Sequence, residues 1–325
     1  MIRYLLAVSL LLLTACGSSS QGAQAPTSSD GAFPVTIEHK FGSTTIKAEP
    51  KRIVLVGLTE QDPLMALGVV PVATTKWIGK YDGEIPPWSR DKLGNAPLPT
   101  VLSDQGGLQY EKIASLKPDL ILGLYAELTQ ESYDKLSKIA PTVAQPSQYN
   151  AYGIPWQDAT RTVGKIVGKS AQAEKLVTDT EARLAKVRQD NPEFNGATAV
   201  IATNWEGYFV YGSQDPRSRM LAALGFKLPD TLDQVIGDKF GATISKERVD
   251  LLDQRVLVWI VTDATKTRAD LNTDPLYTGL NVAKQHHDIL IDDTTPYGSS
   301  VSFISVLSIP YLLDNLVPDL KKAFT

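Results

Sequence analysis

Apolar and polar positions change rhythm repeatedly from residue 34 onward, and each change marks an element. Val35 to Lys47 alternates around Phe41-Gly42-Ser43, the period-two pattern of a β-hairpin. Ile53-Val54-Leu55-Val56 is a short branched run that reads as a strand; Leu64, Met65 and Leu67 then recur at helical spacing between Thr59 and Gly68. Val69 to Thr75 predicts a second strand, Glu111 to Leu116 a short helix, and Leu120-Ile121-Leu122-Gly123-Leu124 a third strand, continuously apolar as a strand buried on both faces would be. A helix from Thr129 to Ile139 and a strand from Thr142 to Ala144 continue the alternation. Strands separated by helices predict an α/β unit with a parallel sheet covered on both sides.

The second half repeats the plan. Ala197 to Thr203 reads as a strand, Pro216 to Leu224 as a helix ended by Gly225, Lys246 to Leu252 as a short helix, and Val256 to Val261 as a buried strand. Leu276 to Leu280, Ile289-Leu290-Ile291 and a closing helix from Val301 to Phe324 follow, with kinks or breaks expected at Pro310 and Pro318. Between the halves, Ser170 to Asn191 contains no proline or glycine, is rich in Ala, Glu, Lys and Arg, opens on a serine that reads as a cap and stops before Pro192. At 1.5 Å per residue its roughly 22 positions make a rod of about 33 Å, with Val177, Leu184 and Val187 as one apolar stripe. The expected organisation is α/β throughout, with two Rossmann-like lobes joined by a single long α-helix. The first lobe covers 34–155, a helical connector 156–196 (the long helix being 170–191), and the second lobe 197–325. One stiff connector has few hinge dihedrals, so only a small relative motion of the lobes is expected.

Composition agrees with two lobes and removes several chemistries. The chain has 325 residues, 43% of them hydrophobic and 21% charged, which is too long for one core of usual size. Lys plus Arg is 32 against 36 for Asp plus Glu, so the net charge of -4 gives no electrostatic reason to hold nucleic acid. Cys16 is the sole cysteine, which excludes an intramolecular disulfide and a cysteine-based zinc or iron–sulfur site. Of the three histidines, His39 stands apart, and the adjacent His286 and His287 would project in different directions, which argues against a zinc or manganese site. No phosphate loop, Gly-x-Ser-x-Gly elbow or His-Glu-x-x-His is present, and Asp292-Asp293 reads as a solvated turn, so no enzymatic activity is expected.

The position of Cys16 sets the expected compartment. Arg3 precedes an apolar run from Leu5 to Leu13, and Leu13-Thr14-Ala15-Cys16 places small residues before the cysteine. This pattern resembles a bacterial lipoprotein signal; about nine apolar residues fall short of the roughly 20 that cross a bilayer. The resemblance implies removal of residues 1–15, acylation of Cys16 and a membrane anchor on the extracytoplasmic, periplasmic face. Residues 16–33, dominated by Gly, Ser, Ala and Pro, would then be a flexible tether.

Three segments carry a wider resemblance. They are Pro50-Lys51-Arg52-Ile53-Val54 through Leu67-Gly68-Val69; Leu108-Gln109-Tyr110-Glu111-Lys112-Ile113 through Leu116-Lys117-Pro118-Asp119-Leu120-Ile121; and Leu307-Ser308-Ile309-Pro310-Tyr311-Leu312-Leu313. Together they resemble the helix-backbone, class III substrate-binding proteins of ABC importers for ferric siderophores, haem and cobalamin. The resemblance implies a ligand cleft between the lobes, near the carboxyl ends of strands. Candidates at those ends are Thr59, with Glu60, after the first strand; Trp77, Tyr81 and Trp88, with Lys76 and Arg90, after the second; and Tyr125 after the third. In the second lobe they are Asn204 and Trp205, followed by Glu206, Tyr208 and Tyr211, and then Arg217 and Arg219. Trp259 lies inside an apolar run and reads as core, and Tyr211 as core or rim.

A ferric siderophore is a bulky, partly apolar chelate with oxygens around the metal. Aromatic walls would give contact area and arginines charge-assisted hydrogen bonds, and the iron needs no protein ligand. The expected ligand is therefore an Fe(III)–siderophore complex, with no resident cofactor. Haem ligated by Tyr81, Tyr125, Tyr149 or Tyr152, or cobalamin in an aromatic cleft, are the alternatives. The resemblance further implies that Glu111 and Glu247 meet arginines of an ABC permease; taken alone, each is a first-turn acid favoured by the helix dipole. A monomer is expected.

Overall fold

The structure is a computed structural model that describes residues 33–76, 78–103, 106–204 and 206–325. The signal segment, Cys16, Trp77 and Trp205 lie outside the described residues. The chain opens on the hairpin that the alternation predicts, β1 (Val35–His39) and β2 (Gly42–Ile46), paired antiparallel, with Gly42 at a φ of 111° in the turn. The hairpin leans on the first lobe through Thr44, whose hydroxyl donates to the Thr142 carbonyl at 2.6 Å.

The first lobe then builds β3 (Ile53–Leu55), α1 (Gln61–Ala66), β4 (Ala73–Thr75), β5 (Thr100–Leu102), α2 (Tyr110–Ser115), β6 (Leu120–Gly123), α3 (Gln130–Ser137) and β7 (Thr142–Ala144). Its sheet is parallel throughout, in the order β5-β4-β3-β6-β7. Both faces are buried, and alternate residues serve two cores. Ile53, Leu55, Leu120 and Leu122 enter one cluster, while Val54 and Ile121 enter the other. The predicted strand over Val69 to Thr75 is confined to its last three residues.

Two helices follow, α4 (Trp156–Ile166) and α5 (Ser170–Asp190). A Cβ on Gly164 would lie 2.3 Å from the Ala173 Cβ, so glycine is what permits these helices to approach as closely as they do. The 21 residues of α5 make a rod of about 31 Å. Val177 and Leu184 are buried along it and Val187 is half-buried, the stripe read from the sequence. Ser170 is the first helical residue; the cap position falls on Lys169, which makes no side-chain cap bond.

The second lobe comprises β8 (Ala199–Asn204), β9 (Tyr208–Tyr211), α6 (Pro216–Ala223), α7 (Leu232–Ile236), β10 (Gly241–Thr243), β11 (Val256–Val261), α8 (Ala264–Thr273), α9 (Pro275–Thr278), α10 (Asn281–Lys284), β12 (Asp288–Asp292), α11 (Pro296–Ser302) and α12 (Ser308–Lys322). Its sheet order is β10-β9-β8-β11-β12, and it is mixed where the sequence predicted a copy of the first. β11 runs parallel to β8 and β12, whereas β9 is antiparallel to both β8 and β10. Three residues separate β8 from β9, far too few for a crossover, and Glu206 and Gly207 turn the chain at φ of 51° and 108°. Tyr208 and Tyr211 therefore belong to a strand and not to a loop.

The closing helix is also divided differently. α11 and α12 separate between Phe303 and Leu307, where the Ser305 N–H donates to the Ser308 hydroxyl at 2.9 Å and the Ser308 N–H to the Ser305 hydroxyl at 3.0 Å, a reciprocal cap. Pro310 falls in the first turn of α12, where a missing N–H costs nothing, and Pro318 sits inside the helix. Leu276 to Leu280 lies mostly in the short helix α9. Among the described residues, no helix is long and apolar enough to cross a membrane.

Candidate ligand-binding cleft

A cavity of about 480 Å³ opens past the carboxyl ends of β3, β4, β5 and β6. This is where an open parallel sheet offers a crevice between its loops. Val56, Leu58 and Leu128 make it apolar, Tyr110, Tyr125 and Tyr152 bring rings to it, and Lys76 and Glu127 bring charge. Lys76 is held in place by an ion pair with buried Glu84 at 2.8 Å and by a bond to the Gly79 carbonyl at 2.9 Å.

Tyr125 connects this cavity to the second lobe. Its ring centroid lies 5.5 Å from that of Tyr152, and Tyr152 meets Phe240 of the second lobe edge to face at 6.1 Å. Burial raises the Tyr125 phenol, while the nearby Arg217 charge acts to lower it. Arg217 is buried at the start of α6, where Asp215 serves as helix cap and counterion together. Asp215 accepts the Arg217 backbone N–H at 2.8 Å, Nε at 2.8 Å and Nη2 at 2.7 Å. The guanidinium lies 4.0 Å from the Tyr211 ring centroid. Burial opposes the Arg217 charge, and Asp215, Tyr211 and Tyr125 outweigh it. The guanidinium is charged and framed by tyrosines, with Nη1 outside the Asp215 pair, but Arg217 is buried and is not among the residues that line the cavity.

The remaining candidates occupy other places. Thr59 is buried and lines a narrow crevice between the lobes with Tyr125, Ile304 and Ser305. Tyr81 and Trp88 do not line the cavity; both reach across to the second lobe. The Tyr81 hydroxyl pairs with that of Ser299 at 3.0 Å, and the Trp88 indole packs on Phe303 and Tyr311 while donating to Asp62 at 2.7 Å. The indole N–H needs an acceptor when buried, and the fully buried Asp62 carboxylate supplies it. Arg219 is likewise an inter-lobe tie. It donates to the Gly153 carbonyl at 2.5 Å and to Gln214 at 2.6 Å, and it lines a cavity of about 360 Å³ beside Trp156 and Asp158. Asn204 is exposed at the end of β8 and lines a separate cavity of about 430 Å³ with Tyr208 and Asp274.

Trp259 is wholly buried, its indole donating to the Tyr277 hydroxyl at 3.0 Å, as its apolar run implies, and Tyr211 is buried. The cavity also contains rings that the reading of the sequence did not assign to a siderophore site. Tyr110 sits in the Leu108-Gln109-Tyr110 block already singled out, and Tyr152, a candidate only for haem in the sequence, stands at a left-handed φ of 57° beside Gly153. Among the described residues, no group of three or more His, Cys, Asp or Glu is arranged to hold a metal ion.

The sequence profile of a family described as periplasmic binding protein matches residues 54–295. The chain is similar to a putative ABC transporter substrate-binding lipoprotein, YhfQ, of Bacillus subtilis, 32% identical over 220 residues that make up 67% of this chain and 64% of that protein. It is also similar to the probable siderophore-binding lipoprotein YfiY of the same organism, 27% identical over 328 residues, with 95% of this chain and 94% of that protein covered. Among solved structures, PiaA of Streptococcus pneumoniae in complex with ferrichrome superposes with a TM-score of 0.79 at 30% sequence identity, covering 89% of this chain and 98% of that one.

Proposed function

The chain belongs to the periplasmic binding protein family, and from that premise we propose that it captures a ferric siderophore outside the cytoplasmic membrane and hands it to an ABC importer. The observation that carries this reading is the cavity at the carboxyl ends of the first sheet, walled by Tyr110, Tyr125 and Tyr152, with the charge of the buried Arg217 acting on Tyr125 from behind that wall. Its apolar walls suit the chelate's carbon framework, and Lys76 suits its oxygens. Relatives named for siderophore binding and the structural likeness to a ferrichrome complex favour this reading over haem or cobalamin.

Capture needs little rearrangement of the lobes, which the Tyr81–Ser299 and Arg219–Gly153 contacts already tie together. Delivery follows through Glu111 and Glu247. Both are exposed in the first turn of an element that leads into a strand of its own lobe, α2 before β6 and the 3-10 turn Lys246–Leu252 before β11. A bond from Ser245 lowers the Glu247 carboxyl further below neutrality, so it meets a permease arginine ionised. Acylation of Cys16 would keep the protein beside its permease. The test is a titration of intrinsic tryptophan fluorescence with ferrichrome, ferric citrate, haemin and cobalamin. Saturable quenching by a ferric siderophore is the expected result, and a flat response to both iron chelates refutes the proposal.

A further inference from the structure

Glu60 is wholly buried, and its carboxylate faces the protein's own backbone. One oxygen accepts the N–H groups of Leu124 at 2.5 Å and Tyr125 at 3.0 Å, and the other accepts that of Thr59 at 3.0 Å. These amides follow β3 and β6, which are neighbours in the sheet, so they stand at the crevice where α/β folds turn backbone N–H groups toward bound anions. Gly57 makes room for the arrangement: a Cβ there would fall 2.0 Å from a Glu60 carboxylate oxygen. Burial acts most strongly and raises the acid, and the three converging N–H donors, which can only be accepted by the carboxyl oxygens, work against it and stabilise the ionised form.

We propose that Glu60 is an internal anion filling an amide cradle at the end of the first sheet, and that it acts as the positioning residue for Tyr125 in the ligand wall and for Thr59 in the crevice beside it. The part that concerns ligand rests on the siderophore-binding reading; the part that concerns the cradle does not. Because the three amides are already occupied, recognition of the ligand's oxygens passes to side chains, Tyr125 foremost. A second consequence is selectivity, since the crevice offers inorganic phosphate no free backbone donors at these positions.

The test compares the full-length protein with Glu60→Ala and Glu60→Gln by hydrogen exchange at the amides of residues 59, 124 and 125, and by ferrichrome titration. Replacing the carboxylate is expected to speed exchange at these amides and to weaken ferrichrome about tenfold, the effect of one lost charge-assisted bond network. In Glu60→Ala, added acetate should restore both properties, whereas acetamide, of the same shape but neutral, should restore neither. Glu60→Gln keeps the volume and supplies the exchange readout if the alanine variant does not fold. Unchanged exchange in both variants, equal rescue by acetate and acetamide, or altered exchange with unaltered ferrichrome affinity overturns the proposal. Failure of the unmodified protein to bind ferrichrome would count against the siderophore reading, while the exchange and acetate arms still decide the cradle.

Discussion

Replacing Asp62 by asparagine probes the contact that joins the lobes. Asp62 in α1 is fully buried, and one of its oxygens accepts from the Trp88 indole at 2.7 Å and from the Ser305 hydroxyl of the second lobe at 2.5 Å. Its other oxygen has no hydrogen-bond partner. Burial outweighs these bonds and raises the acid from 3.8 to about 6. A folded-state value above the unfolded one means that proton binding stabilises the fold. That contribution is complete below pH 3.8 and is lost as pH rises through about 6. At about 1.4 kcal/mol for each tenfold in proton affinity, the gap corresponds to about 3 kcal/mol. Asparagine offers an acceptor to Trp88 and Ser305 and does not titrate. Urea unfolding of both proteins at pH 4 and pH 7.5 is the assay, because every other carboxylate cancels in the difference. The difference in stability should move by about 2 kcal/mol in favour of Asp62→Asn between the two pH values, short of the full gap because the unfolded acid is already partly ionised at pH 4. A difference independent of pH, or one moving the other way, refutes the account of Asp62 as a carboxylate destabilised by its own burial.

Other perturbations follow from contacts already described. Arg217→Met strands the fully buried Asp215 carboxylate and should lower stability by about 3–5 kcal/mol in urea unfolding; near-normal stability would mean that Asp215 has another counter-charge. Gly298→Ala places a Cβ 2.0 Å from the Asp292 carbonyl oxygen, with only backbone atoms to yield. It should destabilise by at least about 1–3 kcal/mol, visible as a lowered melting temperature. Reversing both Glu111 and Glu247 to lysine should abolish siderophore uptake by cells while ferrichrome affinity stays unchanged, and uptake at the normal rate would remove these residues from permease docking.

The sequence disclosed the parts of the fold that depend on local pattern. The runs Ile53–Leu55, Leu120–Gly123 and Val256–Val261 are strands because their side chains have apolar cores on both faces, and a continuous apolar run records that directly. The mixed sheet was legible in principle, since a three-residue gap ending in Gly207 signals a hairpin, but the repeat of strand and helix in the first half dominated the reading. Ser305-x-x-Ser308 carries the helix break in the same way, ahead of Pro310 and Pro318, where proline alone would place it. The destinations of Tyr81, Trp88 and Arg219 were not legible. Each is an aromatic or basic residue near a strand or helix end, as a ligand contact would be, and each is claimed by a partner remote in sequence. Tyr81 and Ser299 are 218 positions apart, and Asp62, which holds Trp88, reaches Ser305 across 243. Local composition has no access to such pairings.

The helix α5 has a consequence for how the molecule comes apart. Ala173 completes a core of the first lobe, Val177 and Leu184 complete one of the second, and Leu176 touches both. Neither half has thermodynamic autonomy, because loosening this helix strips a wall from two interiors at once. Heat should therefore melt the protein as one cooperative unit, and a chain truncated within the helix would leave greasy surface on whichever half remained.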